Sequence, residues 1–170
     1  MTCIVGIAHD GKVHMGGERG ASSSDVIVST LQPKITLNHD FLVGYSGEGF
    51  GVGQLATLAD YPLDEKNLEI TIRTIFCKSM SKLVDKYGGV SNGSHILLIG
   101  GYGRLFEIDT SDWGIIEVSE SAVGSGSPYA LGSLYTTKHI KNPIRRISTA
   151  LEAAITYSPS CQGPIDMFSV

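Results

Sequence analysis

Apolar spacing divides the chain into an ordered series of elements. Residues 3–9 are apolar and rich in β-branched side chains, Asp10-Gly11 supplies a two-residue turn, and residues 12–19 return as a second strand. Asp-Gly suits such a turn because its central positions need positive φ. Residues 26–30 and 34–37 read as short strands, the latter closed by Asn38-His39-Asp40, and 41–46 as another. The glycines from Gly47 to Gly53 turn the chain into a helix predicted over 49–61, ending near Pro62. They lack the lysine and spacing of a phosphate-binding loop. Leu68, Ile72, Ile75, Phe76, Met80, Leu83 and Val84 recur at helical spacing through 67–87, with Gly88-Gly89 as the stop.

Strands then resume at 95–100, 104–109, 113–118 and 122–124. Helices follow over 128–138 and 143–157, the second opening on Asn142-Pro143, a capping residue and a first-turn proline. The tail 165–170 alternates as a last strand. Strands, two helices, strands, two helices and a strand fit an α+β fold. Its simplest form is a four-layer αββα sandwich, two antiparallel sheets face to face with helices outside, so that every apolar face is covered. No repeat or linker interrupts residues 1–170, which read as a single domain.

Composition narrows the function. Hydrophobic residues at 42% against 18% charged describe a globular chain, not a disordered one. A net charge of −4 offers no basic footprint, so neither nucleic acid nor an anionic membrane is expected as a partner. No apolar run reaches the roughly 20 residues of a membrane span, and no leader pattern opens the chain. Cys3, Cys77 and Cys161 form no paired or zinc-binding spacing, which fits a reducing, cytoplasmic setting. The five histidines show no ligand spacing either and read as surface or strand residues, and Arg145-Arg146 as a solvated helix face. No metal site is expected.

The chemistry concentrates in the first thirty-four residues. Removal of Met1 would make Thr2 the N-terminal residue, carrying a hydroxyl nucleophile and a free α-amine on one carbon. That amine has an ordinary pKa of about 7.7–8.0, so it can act as base for its own hydroxyl. A nearby ammonium such as Lys34 would depress the amine and stabilise negative charge growing on the oxygen.

These residues resemble the proteasome β-type and HslV (ClpQ) peptidases among the N-terminal-nucleophile hydrolases. The resemblance rests on Thr2-Cys3-Ile4-Val5-Gly6, Gly17-Glu18-Arg19-Gly20-Ala21-Ser22, Lys34-Ile35, Tyr45-Ser46-Gly47 and Gly124-Ser125-Gly126-Ser127-Pro128-Tyr129-Ala130. Lys34 follows Thr2 by thirty-two positions, the family's spacing. The resemblance implies an αββα sandwich, self-association into a ring or stacked rings, polypeptide substrates and an AAA+ ATPase unfoldase as partner. It implies Thr2 as nucleophile, Lys34 as its electrostatic partner, the Gly47 N–H as oxyanion donor, Ser125 beside the amine, and Ser22, Gln32 and Tyr45 lining the substrate pocket. No cofactor is required; a structural monovalent cation on the backbone carbonyls of Ile155, Ser158 and Cys161 is the HslV parallel.

Three departures stand out. Glu18 occupies the place of an aspartate, and its extra methylene shifts the carboxylate by about 1.5 Å, enough to disturb an ion pair with Lys34. Gly20 replaces an arginine common in proteasomes. Ser158-Pro159-Ser160-Cys161-Gln162-Gly163 replaces a segment that carries a carboxylate. Two other readings therefore stay open: a catalytically silent ring subunit, and an N-terminal-nucleophile amidohydrolase acting on small amides.

Overall fold

The computed structural model describes residues 2–23, 26–47, 51–87 and 95–170. Its first sheet is built on β1 (Ile4–His9) and β2 (Lys12–Glu18), joined by the expected Asp10-Gly11 turn with both residues at positive φ (49° and 74°). β10 (Glu120–Val123) flanks β1 and β11 (Ile165–Ser169) flanks β2, giving the order β10-β1-β2-β11, antiparallel throughout. The second sheet runs β5 (Ile35–Asn38), β6 (Phe41–Ser46), β7 (Ile96–Gly101), β8 (Arg104–Asp109) and β9 (Gly114–Val118) in sequence order, as a meander. A short ribbon pairs β3 (Gly20–Ser23) with β4 (Val26–Ser29).

The two large sheets pack face to face, and three apolar clusters mark the layers. Ile4, Val13, Met15, Leu42, Leu98 and Leu105 fill the space between the sheets. Cys3, Val5 and Ile7 on the outer face of the first sheet meet α4 (Ser127–Thr136) and α5 (Pro143–Tyr157) through Leu134, Ile147 and Leu151. The outer face of the second sheet, Val43, Tyr45, Leu97 and Ile99, meets α1 (Gly51–Leu55) and the helical rod of residues 68–87 through Val52, Leu68, Phe76 and Met80. The fold is the four-layer αββα sandwich of the α+β class.

Most elements lie where apolar spacing placed them, and α5 begins at Pro143 with the Asn142 side chain accepting from the Arg145 N–H at 3.0 Å. The rod differs in detail. It runs α2 (Leu68–Thr71), a π-helical stretch Ile72–Cys77 and α3 (Lys78–Tyr87), so its middle turns are wider than an α-helix. The helix expected over 49–61 shortens to α1 and one 3-10 turn, Ala56–Leu58. Its first two positions, and the Gly88-Gly89 stop, lie outside the described residues. Arg146 is not on a solvated face: it is buried and pairs with Glu120 at 2.7 Å.

Candidate active site

Strand register assembles the site. Ile4 of β1 lies opposite Gly17 on one side and Val123 on the other. One step further out, the antiparallel ladders bring Cys3 to Glu18, and Thr2 to the Gly124-Ser125 turn after β10. The Thr2 nitrogen donates to Ser125 Oγ at 3.2 Å, and the Thr2 carbonyl accepts from the Gly126 N–H at 3.2 Å. Gly124 has φ +100°, and a Cβ there would stand 2.1 Å from the Thr2 carbonyl oxygen. Only glycine allows that approach, so Gly124 sets how closely the turn grips Thr2.

Behind Thr2 lies an extended hydroxyl chain. Ser125 Oγ is 2.8 Å from Ser160 Oγ, which is 3.0 Å from Ser158 Oγ. Ser158 and Cys161 are the residues of this segment that the HslV resemblance marks; Ser160 carries no such signal in the sequence. The intervening residue points toward Ser125 because the chain turns there, with the Cys161 N–H donating back to the Ser158 carbonyl at 3.3 Å.

Glu18, at the end of β2, is fully buried. Its Oε1 accepts from the Cys3 N–H at 3.0 Å and pairs with Lys34 Nζ. Its Oε2 accepts from the Gly20 N–H at 2.6 Å and the Gln162 N–H at 3.0 Å. The expected disturbance of the Lys34 pair is therefore absent. The longer side chain folds back over Gly20, where a Cβ would come 2.7 Å from Glu18 Oε2 and 2.7 Å from the Gln162 nitrogen. Gly20 thus makes room for the glutamate. Arg19 takes no part in this pair; it forms a two-pronged bridge to Asp166 on β11 at 2.6 and 2.5 Å, and holds the Leu31 carbonyl at 2.9 Å.

Lys34 stands immediately before β5, the edge of the second sheet that abuts β2 and β11. Its ammonium also donates to the Gly20 carbonyl. Thr2, Lys34, Ser22, Gln32, Tyr45 and Gly47 all line one pocket of about 620 Å³, together with Thr30, Leu31, Pro33, Thr36, Gly53, Gln54 and Thr57. Glu18 and Ser125 stand behind its wall, touching Lys34 and Thr2. The eight residues named as catalytic or pocket-lining thus fall in or directly behind this pocket.

Three nearby groups need separate account. Burial pushes the Cys3 thiol pKa well up, with Cys161 and Glu18 adding to the effect, so this neighbour of Thr2 is a packed thiol that stays protonated. Burial raises Cys161 likewise, and all three cysteines are free. His95, read as a surface or strand histidine, is buried just before β7, with Nδ1 2.8 Å from the Tyr45 hydroxyl. No spacing signal could have found it, because its partner lies fifty residues away in the chain. Among the described residues no cluster of histidine, cysteine and carboxylate side chains is suited to a metal ion, and no helix is long and apolar enough to cross a membrane.

No protein-family profile matches the sequence, and no curated protein is detectably similar to it. The fold is nonetheless shared. Thiobacillus denitrificans BPH in complex with epoxomicin superposes with a TM-score of 0.83 at 18% identity, over 99% of this chain and 98% of that one. A second structure of the same BPH gives 0.81 at 18%, over 99% and 97%. The eukaryotic HslV from Trypanosoma brucei gives 0.72 at 15%, over 99% and 98%. At these identities the likeness is one of fold.

Proposed function

We propose that the chain is the threonine peptidase subunit of a proteasome-like, HslV-like ring, hydrolysing peptide bonds through Thr2 after Met1 removal. The observation that carries this is the Thr2 nitrogen held by Ser125 in a pocket that Lys34 and Gly47 share. With Met1 removed, that nitrogen becomes an α-amine beside its own hydroxyl. The hydroxyl oxygen attacks the scissile carbonyl carbon while its proton passes to the amine, directly or through one water. Negative charge collects on the former carbonyl oxygen, where the Gly47 N–H donates to it. The C–N bond then breaks, the departing amine takes the proton from the Thr2 ammonium, and an ester to Thr2 remains. Water attacks the ester with the amine again as base, releasing the acid.

Lys34 supplies the fixed positive charge that favours both a neutral amine and a developing alkoxide. Glu18 fixes that ammonium in place. Among the described residues lining the pocket there is no carboxylate, and its cation is engaged with Glu18. An uncharged side chain on the acyl side of the cut bond suits that lining. No cofactor enters these steps. A monovalent cation on the backbone carbonyls of Ile155, Ser158 and Cys161 would be a structural brace for the turn in which the Ser158 carbonyl accepts from the Cys161 N–H.

Self-association is part of the same proposal. The outer layer of α4 and α5 exposes Tyr129, Leu131, Tyr135, Ile144 and Tyr157, with the Tyr129 and Tyr157 rings stacked at 6.2 Å. A run of large apolar side chains on one layer is what an interface leaves on a separated subunit. Polypeptide substrates delivered by an ATPase unfoldase complete the scheme.

Intact mass and hydrolysis of uncharged fluorogenic peptides by one untagged preparation test the proposal. Loss of one methionine with turnover that vanishes in Thr2→Ala supports it. Retained Met1 without turnover in an assembled ring would instead favour the silent subunit. Turnover of small amides alone by a small oligomer would favour the amidohydrolase.

A further inference from the structure

The Gly47 N–H can act as an oxyanion donor only if the backbone carrying it is held still. In the second sheet, Ser46 pairs with Ile96, which sets Gly47 opposite His95 one step further out. Tyr45 and Leu97 face the helical layer, so residues 47 and 95 face it too. Gly47 has no side chain, and the His95 ring occupies the space. A Cβ on Gly47 would stand 1.8 Å from His95 Nδ1 and 2.6 Å from the Tyr45 hydroxyl. The glycine backbone therefore lies directly on the Tyr45–His95 hydrogen bond. That bond is itself anchored. The His95 carbonyl accepts from the Thr110 N–H at 2.9 Å and from Thr110 Oγ1 at 3.1 Å, and the Tyr45 and His95 rings lie 5.5 Å apart. His95 is 1% exposed and does not line the pocket.

We propose that His95, through its hydrogen bond to Tyr45, is a positioning residue that fixes the Gly47 N–H for the oxyanion. This rests on the peptidase reading above. A ring against a cross-strand glycine fills the gap and stiffens the pair, as aromatic residues do beside strand glycines. The cost of losing it falls on the tetrahedral intermediate, because the bound peptide does not need that donor.

The test compares wild type with His95→Ala, His95→Asn and Tyr45→Phe. The asparagine amide can still reach the Tyr45 hydroxyl from near the Nδ1 position. Two quantities are read: kcat and KM for a fluorogenic peptide, and the affinity of a peptide boronate, which forms a tetrahedral adduct, against that of the matching unreactive peptide. His95→Ala is expected to lower kcat about 10–100-fold, the range for a misplaced catalytic group, with KM changed less than about threefold. Boronate affinity should fall with kcat while plain peptide affinity holds, and His95→Asn should recover most of both. Should His95→Ala fail to fold, His95→Asn and Tyr45→Phe carry the test: boronate affinity in Tyr45→Phe must fall more than peptide affinity, and more than in His95→Asn. Equal weakening of boronate and peptide, or of neither, overturns the positioning role. An active wild type with indifferent variants overturns this inference alone; a wild type without turnover overturns the peptidase reading and this inference with it.

Discussion

Two directly hydrogen-bonded ion pairs in this protein, one single-pronged and one two-pronged, have very different surroundings. Glu18 and Lys34 have side chains 0% and 4% exposed. Arg104 and Glu117, on neighbouring strands β8 and β9, are 37% and 44% exposed and bridge at 2.7 and 2.6 Å. Glu18→Gln keeps the shape and removes the charge. The amide nitrogen must then face either the Cys3 N–H and Lys34 or the Gly20 and Gln162 N–H groups, donor against donor. Stripping one member from a buried pair costs about 3–5 kcal/mol. For a chain of this length 1 kcal/mol moves the midpoint by about 2–4 °C, so Tm should fall by roughly 6–20 °C. Glu117→Gln removes a pair worth about 0–1 kcal/mol, at most about 4 °C. Thermal melts and guanidinium titrations of both variants read the difference. Added salt should erase the surface effect and leave the buried one, since screening reaches exposed charges first. Equal, small losses in the two variants would refute the claim that Glu18 and the backbone around it form the buried seat of Lys34.

Other consequences follow from the same geometry. Gly124→Ala, with a Cβ 2.1 Å from the Thr2 carbonyl and φ at +100°, should cost about 3 kcal/mol or more and abolish turnover; a melt within 2 °C of wild type would contradict it. Ser160→Ala interrupts the hydroxyl chain behind Thr2 and should cost about 1 kcal/mol with a several-fold loss of kcat, checked by denaturant titration and steady-state kinetics. Burial lifts the Cys77 thiol from 9.0 to about 11. The unfolded thiol then ionises first, so the Cys77 contribution to stability is full below pH 9 and declines as pH climbs toward 11, by up to about 2.7 kcal/mol. Cys77→Ala should make the measured decline shallower in denaturant titrations between pH 8 and 11, with Cys3 and Cys161 supplying what remains, and an unchanged slope would contradict the assignment.

What the sequence made legible was what local spacing controls. The Asp10-Gly11 hairpin and the Asn142-capped α5 carry their signals within a few residues. β3 carries no strand signal because Gly20–Ser23 is short and polar; it is a strand only through its pairing with β4. The π-helical turn of Ile72–Cys77 hides because apolar spacing reads straight through it. The candidate site was legible as a set of residue types at known separations, but its joints were not. Glu18 keeps Lys34 because Gly20 and Gln162 receive its longer side chain, and Ser160 reaches Ser125 because of a turn thirty-five residues away. Both depend on chain segments that meet only in the folded molecule, as does the burial of His95 over Gly47.

The most direct test of a free, reactive Thr2 is its modification by a peptide epoxyketone, whose ketone and epoxide carbons match a hydroxyl and an amine on one residue. Peptide mapping by mass spectrometry after incubation should find the adduct on Thr2 of molecules lacking Met1, and none on Thr2→Ala. An unmodified Thr2 in assembled, Met1-free protein, or an adduct that survives the substitution, would contradict a nucleophile at this position.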